Sequence, residues 1–317
     1  MGAGLSITAD ALPTTMNHLR RHHESGSAIL LALWAILVMS GLLFVVTREL
    51  DGRFQSLDRV NEEIYARAMA LSGVELGTSN GLTAEDPRLQ QDLGEGLRFE
   101  VELTGEGGRL NPNWIAADPE GERYLVLENY LINHEAELEE AQFFTNALLD
   151  YIDADDLARI NGMEENEDYL PRNAPLMSLD ELMDVAGSEV LARIPNWRDD
   201  FTLHSAGRID VHWASRDLLL AVPGLDELGI DRLIEVRESE EDENGEPLIP
   251  GEVIKSETEM ALLLGLSEAG MQEVSGFLTV QDPTKRLVST GFARGDEHTI
   301  EVVFRAGNRQ QVMEWIE

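Results

Sequence analysis

The chain has 317 residues, with 60 acidic against 24 basic side chains, a formal net charge of -36 at pH 7 and no cysteine. This length is enough for one or two domains with a proper core. Nucleic acids bind patches of Lys and Arg, so the large negative charge argues against a nucleic-acid partner. Without cysteine the chain has no disulfide, no thiolate zinc site and no cysteine nucleophile.

The first predicted element is a membrane-spanning helix. Residues 25–47 contain no charged side chain, and an α-helix over residues 27–47 is about 31 Å long, which matches the apolar thickness of a bilayer. Arg20 and Arg21 lie just before it. Because basic residues stay in the cytoplasm, residues 1–26 are predicted to form a cytoplasmic leader. The alternative is a cleaved secretory signal, but the apolar run is too long and no small-x-small cleavage site follows it.

Beyond the membrane, the helix is predicted to continue to about Leu76. Apolar residues recur at steps of three and four positions between charged ones, as at Leu50, Phe54 and Leu57. This spacing gives the helix one apolar face that packs on a soluble domain. No proline occurs from residue 25 to residue 83, and the glycines of residues 77–81 are predicted to end the helix.

Strands flank a long helical block in the rest of the chain. Residues 97–103 alternate polar and apolar side chains, as a half-buried strand does, and the alternation returns at residues 286–293, 297–305 and 309–316. Between them, apolar spacing and Ser-x-x-Glu capping boxes beginning at Ser178 and Ser256 predict helices. The predicted helices span residues 124–132, 136–152, 178–185, 215–221, 230–238, 256–264 and 268–278.

These elements predict an α+β fold in which the long N-terminal helix packs on an antiparallel sheet and a large α-helical domain is inserted between the first and later strands. The predicted parts are the leader at 1–26, the transmembrane part at 27–47, an α/β domain at 48–112 and 282–317, and the inserted domain at 113–281. Inside the insertion, the sequence Gly-Arg-Leu-Asn-Pro-Asn-Trp of residues 108–114 is echoed by Gly-Arg-Ile-Asp-Val-His-Trp at residues 207–213. The echo indicates paired modules.

The densest polar cluster follows the predicted helix 136–152. Asp153, Asp155 and Asp156 lie where the helix gives way to a loop, and Gly162 allows that loop to fold Glu164 or Glu165 back toward them. Hard oxygen ligands without a nearby His or Cys favour calcium over zinc or copper. The spacing is not that of an EF-hand. The alternative is a solvated helix end and loop in a very acidic chain.

A second motif lies at residues 222–225, Val-Pro-Gly-Leu, between two predicted helices. It resembles the turn of a helix-hairpin-helix, whose backbone N–H groups can bind DNA phosphate. The acidic side chains around it outnumber the basic ones. We therefore interpret Pro223 and Gly224 as a helix-packing turn.

Together these pieces resemble minor pseudopilin K (GspK) of type II secretion systems. The resemblance runs from about residue 25 to the C-terminus and rests on the order and spacing of several fragments. The fragments are a basic leader ending in Gly26, the apolar helix, its tail at 66–75, the acidic segment at 153–156 and 161–164, residues 209–215 leading to 222–225, and a closing strand at 312–315.

The resemblance implies a pilin-like fold, cleavage by prepilin peptidase between Gly26 and Ser27, and N-methylation of Ser27. Other pseudopilins carry a glutamate at the fifth mature position, whereas here Leu31 occupies it, as in protein K. An unpaired charge is costly in lipid. A subunit without this glutamate cannot neutralise the terminal amine of a subunit above it, so it is suited to be first, at the tip.

Members of that family bind calcium in the helical domain, so the resemblance also implies calcium held by Asp153, Asp155, Asp156 and Glu164. It implies a single-pass inner-membrane protein whose C-terminal domain lies in the periplasm. The implied partners are prepilin peptidase, the other minor pseudopilins of a tip complex, and the major pseudopilin.

The resulting functional prediction is a non-enzymatic structural subunit of the secretion pseudopilus that takes part in protein export. Two alternatives from other classes stay open. One is a signal-anchored periplasmic metal-binding enzyme, and the other is a pilin-like DNA-uptake component that uses the Pro223-Gly224 turn.

Overall fold

The computed structural model describes residues 22–317 except Asn80, Pro119, 240–248 and 307–310, and it describes side chains from residue 28 onward except in these gaps and at 51–59. The chain divides into two compact units, Met1–Asn61 and Glu62–Glu317. In the first unit, Ala28–Leu50 is long and apolar enough to cross a membrane, with a mean hydropathy of 2.8 and no buried residue. This segment fits the predicted single-pass anchor.

Helix α1 spans His22–Gly77, and its last turns belong to the second unit. The strands of the second unit are β1 (Gln90–Gly94), β2 (Leu97–Gly105), β3 (Ile209–Asp210), β4 (Leu278–Thr279), β5 (Thr284–Ala293), β6 (Asp296–Arg305) and β7 (Gln311–Ile316). Five of them form an antiparallel sheet in the order β1-β2-β5-β6-β7. Because β2 and β5 are neighbours, everything between them in sequence is an insertion.

The end of α1 packs closely on this sheet because small residues line the contact. Ala66 and Ala70 are fully buried, and the backbone of α1 at these two residues leaves no room for a side chain at Gly291 on β5. The hydroxyl of Ser289 donates a hydrogen bond of 2.7 Å to the Ala70 carbonyl. A Cβ atom at Gly73 would overlap Ser289. The apolar core around this contact includes Val74, Leu89, Phe99, Val101, Leu103, Leu287, Ile300, Val302 and Phe304.

The insertion between β2 and β5 is mostly helical and has a large hydrophobic cluster of its own. Its helices are α2 (Pro112–Ala116), α3 (Tyr124–Asn133), α4 (Leu138–Ile152), α5 (Glu189–Ala192), α6 (Arg216–Ala221), α7 (Glu227–Arg237), α8 (Glu257–Leu263) and α9 (Glu268–Val274). β3 and β4 also lie in it and pair in parallel. The structure thus confirms the predicted α+β fold, although the exact domain boundaries stay predictions.

One strand was not predicted, and two predicted helices differ from the structure. Strand β1 was not predicted, because Gln90–Gly94 shows no alternation and is mostly exposed. Residues 178–185 contain a 3-10 helix at Leu179–Met183 rather than an α-helix, although Ser178 and Glu181 do form the predicted capping box. The predicted helix 268–278 ends at Val274, since Phe277 instead accepts a hydrogen bond of 2.7 Å from the backbone N–H of Ile209.

The two echoed sequences have equivalent places in the insertion. The backbone N–H of Leu110 donates to Asp200 O (2.8 Å), and Ile209 in the second copy donates in the same way to Phe277 O. A Cβ at Gly108, in the first copy, would overlap Trp213 of the second, and a Cβ at Gly207 would overlap Trp114 of the first. Each copy therefore has a glycine that lies close to the tryptophan residue of the other: Gly207 contacts the indole ring of Trp114, and Gly108 contacts the backbone and Cβ of Trp213.

Candidate metal centre

The acidic site is built on the end of α4 and the loop that follows it. The amphipathic α4 ends at Ile152, and Asp153 is its C-terminal cap residue. The loop returns to this helix end, where Met163 and Tyr169 pack on the hydrophobic cluster of the insertion. The backbone N–H of Asn173 donates to Tyr151 O (2.9 Å). The loop is thus held to α4 at several points along its length.

Three of the four predicted ligands meet. Asp153, Asp155 and Glu164 each offer a carboxylate oxygen, and these oxygens lie within 4.8 Å of one another. Of the two glutamates left open by the sequence, Glu164 folds back and Glu165 stays exposed. Asp156 is exposed and lies outside the group of three. Its role as a ligand stays a prediction.

Two residues that were not predicted as ligands position this group. Asp150, on the last turn of α4, is fully buried and accepts the backbone N–H of Arg159 at 3.1 and 3.2 Å. The Arg159 guanidinium lies 3.4 Å from Asp150 and 3.1 Å from Asp153 Oδ2. Gly162 is required here, because a Cβ would overlap the Asp150 carboxylate. Asp150 therefore fixes the loop, and Arg159 binds Oδ2 of Asp153 while Oδ1 has no partner in the described part of the chain.

The surroundings of these carboxyl groups disfavour their charged, deprotonated forms. Burial is the main cause that raises the pKa of Glu164, and the carboxylates of Asp150 and Asp153 raise it further. Burial also raises the pKa of Asp153 and the pKa of Asp150. In both cases Arg159 has the opposite effect but does not outweigh burial. One guanidinium does not compensate for several carboxylates this close. The group would be relieved by an added cation.

The oxygen atoms themselves fit a hard cation. Asp153 Oδ1 and both carboxylate oxygens of Glu164 are buried and have no hydrogen-bond partner among the described residues. Buried carboxylate oxygens normally have partners, since leaving them unpaired is costly. Calcium takes six to eight oxygen ligands, which three carboxylates and further oxygens can supply. The donor set, all carboxylate oxygen, therefore suits calcium or a similar ion.

The remaining predicted positions lie elsewhere. Gly26 and Ser27 are in the first turns of α1, the leader residues 1–21 lie outside the described residues, and the cleavage stays a prediction. Leu31 is on α1 with its side chain exposed. Gly224, between α6 and α7, has a φ of 85°. Its neighbour Val222 is buried in the helical cluster, in keeping with a packing turn.

Comparison with known proteins shows the fold. No family profile matches the sequence, and no curated protein matches it. A solved structure does match: a chain in the crystal structure of the GspK-GspI-GspJ complex from the enterotoxigenic Escherichia coli type 2 secretion system. The TM-score is 0.54 at 16% identity, over 83% of this chain and 98% of that chain. The two chains share a fold.

The extent of this match is informative. Residues outside the insertion make up less than half of the chain, so a match over 83% takes in most of the insertion as well as the helix and sheet. The resemblance predicted from scattered sequence fragments is thus confirmed at the level of the fold. The neighbour is a chain of a complex from a secretion system.

Proposed function

We propose that the chain is a minor pseudopilin that forms the tip of a type II secretion pseudopilus and takes part in protein export across the outer membrane. The observation that carries the proposal is the fold shared with a chain of the GspK-GspI-GspJ complex, insertion included. In this proposal other minor pseudopilins and the major pseudopilin are its partners. Its role is structural rather than enzymatic.

Position at the tip is supported by Leu31. A filament of such helices buries each new terminal amine in an apolar environment, where an unpaired charge is costly. Cleavage after Gly26 would make Leu31 the fifth residue, and its side chain has no carboxylate to pair with the amine of a subunit above. The large insertion between β2 and β5 supports the same position, because it adds bulk that would obstruct further stacking.

We also propose that the acidic site binds calcium through Asp153, Asp155 and Glu164, with Asp156 as a weaker contributor. The unpartnered buried oxygens of Asp153 and Glu164 support this. Bound calcium would neutralise the carboxylates and hold the loop against the end of α4. Its role would be to stabilise the insertion rather than to catalyse a reaction.

The processing step provides the sharpest test of the pseudopilin proposal. The full chain is coexpressed in membranes with a prepilin peptidase, and the N-terminus of the product is sequenced. We expect a mature chain that begins at N-methylated Ser27. A Gly26→Val variant is the matched control and should stay uncut. An uncut wild-type chain, under conditions where the peptidase processes another pseudopilin, would contradict the proposal.

A further inference from the structure

The last helical hairpin of the insertion has an apolar groove that the proposed function does not use. α8 and α9 are joined by the short connection at residues 264–267, and a groove of about 460 Å³ lies along them. Its apolar lining consists of Ala261, Leu262, Leu266 and Met271. Leu266 and Met271 also pack on the hydrophobic cluster of the insertion, whereas Leu262 is 76% exposed. Leu266 and Met271 therefore form the floor of the groove, and Leu262 is its exposed apolar side chain.

The charged side chains that line the groove are acidic, although Arg232 donates a hydrogen bond of 3.0 Å to the Leu263 carbonyl at the end of α8. Its charged lining residues are Glu257 and Glu268, and both are exposed. Arg208 approaches Glu257 only at 3.8 Å, with both side chains about half exposed, so this pair neutralises the rim weakly. The groove therefore combines an apolar floor with an acidic rim, which complements a partner that has an apolar stripe flanked by Lys or Arg.

The shape of the groove favours a helix as its occupant. All of its lining residues belong to α8, α9 or the connection between them, so it offers no strand edge with which an extended peptide could pair. Recognition then depends on side chains, as when an amphipathic helix lies in an apolar groove. Met271 has a flexible thioether that can adapt to the side chains of the partner.

Two other occupants fit the charges less well. A second copy of this chain would bring a net charge of -36 to an acidic rim, and an anionic membrane surface would be repelled in the same way. We propose that the α8–α9 groove binds a cationic amphipathic helix of a partner protein, with Leu262 at the centre of the contact. The proposal is independent of calcium binding and of the position of the chain in a filament.

The absence of cysteine from the chain makes a local test possible. A Gln272→Cys variant of the full chain, reconstituted in zwitterionic nanodiscs, is labelled with a bimane fluorophore at the groove. A Leu228→Cys variant carries the same label at an exposed position on α7, outside the groove. Both are titrated with a 14-residue peptide built from two copies of Leu-Lys-Lys-Leu-Leu-Lys-Leu. We expect a saturable change at position 272 and none at position 228.

Substitutions then separate groove binding from general attraction to an acidic protein. Adding Leu262→Asn to the labelled chain should weaken apparent affinity at least tenfold, whereas Leu228→Asn should not change it. A Glu257→Gln/Glu268→Gln pair should weaken binding and reduce its dependence on salt. Unchanged thermal unfolding verifies that each variant is folded. Equal responses at both labels, no response at either, equal binding of a Leu-Glu peptide, or unchanged affinity in Leu262→Asn would each overturn the proposal.

Discussion

Two carboxylate sites in this chain, one at Glu106 and one at the end of α4, differ in whether the chain itself supplies enough positive charge to neutralise them. Glu106, at the end of β2, is fully buried, yet Arg286 donates to it at 2.7 and 2.9 Å, Arg109 donates at 3.2 Å, and the hydroxyl of Thr202 donates as well. Burial raises the pKa of Glu106, but the hydrogen bonds and charges of Arg286 outweigh it, so the pKa is lowered. At the end of α4, one arginine serves Asp150 and Asp153, and oxygens of Asp153 and Glu164 are left without partners.

We call the Glu106 site closed, because arginines of the chain neutralise its carboxylate, and the site at the end of α4 open, because oxygens of Asp153 and Glu164 there have no partner among the residues that the structure describes. Where the chain itself neutralises a buried carboxylate, the site holds two elements of the fold together and needs nothing more. Where it does not, the same residue type is strained by its own charge. In the calcium site proposed above, an ion from solution would supply the missing positive charge, and the stability of that part of the insertion would then depend on the calcium concentration.

Breaking the closed site should have the largest effect. A Glu106→Ala substitution leaves the guanidinium groups of Arg286 and Arg109 without their buried carboxylate. Because Arg286 keeps Glu301 as a partner, we expect the free energy of unfolding to fall by about 3 kcal/mol, the lower end for removal of one partner of a buried pair. Denaturant unfolding of the full chain in detergent would measure it. Glu102→Gln, at an exposed position on β2 just before Glu106, is the matched control, and a similar loss in both variants would contradict the comparison.

The open site should respond to calcium instead. At a calcium concentration 100 times its Kd, the folded chain should gain about 2.7 kcal/mol over the calcium-free chain. An Asp153→Asn substitution should abolish most of this gain and the heat of calcium binding in calorimetry, because it removes the unpartnered Oδ1 charge. In chelator, this variant should be no less stable than the wild type. Calcium binding that survives in Asp153→Asn would exclude this residue as a ligand.

The pH dependence in chelator should show the opposite signs of the two sites. A carboxyl with a lowered pKa, such as Glu106, contributes stability at neutral pH that is lost as pH falls through its folded pKa. Asp153 and Glu164 have raised pKa values, so protonation stabilises the fold there as pH falls. The Asp153→Asn/Glu164→Gln pair should therefore be more stable than the wild type at pH 7, and the gap should narrow on acidification. Thermal unfolding of both proteins from pH 7 to pH 5 would measure it, and a gap that widens would refute the assignment.

The smallest effect is expected at Asp156. Its side chain is exposed and outside the group of three oxygens, so Asp156→Asn should change stability by less than about 0.5 kcal/mol in chelator and should weaken calcium binding far less than Asp153→Asn. Calorimetry of the two variants side by side makes the comparison. An equal loss of calcium affinity in the two variants would show that Asp156 is a full ligand, as the sequence predicts.

The sequence predicts what local patterns encode. Periodic apolar spacing made it possible to predict the end of α1, the alternation of β2, β5 and β6, and the helices of the insertion between β2 and β5. β1 could not, since an edge strand with one apolar residue, Leu93, has no buried face to impose alternation. The helix predicted at 268–278 was too long for a different reason. A pairing with Ile209, far away in sequence, determines where that helix ends.

The same limit applies to the two carboxylate sites. Asp153, Asp155 and Glu164 could be predicted as neighbours because a short loop joins them. Asp150 begins the same acidic run in the sequence, but its role in positioning the loop was not predicted, although its place three residues before Asp153, on the last turn of a helix, sets it beside the loop. Glu106 could not be recognised from the sequence at all, because its main partner, Arg286, lies 180 residues away and only the return of the chain to the sheet brings the two together.

The exchange of glycine and tryptophan between the echoed segments limits how this insertion can evolve. Gly108 lies against the backbone and Cβ of Trp213, and Gly207 lies against the indole ring of Trp114, so either half alone would lose the close contact that its glycine makes with the other half. A gene fragment that encodes one half is therefore a poor unit for recombination. The insertion should be gained, lost or grafted onto another pilin-like sheet as a whole, between the end of β2 and the start of β5.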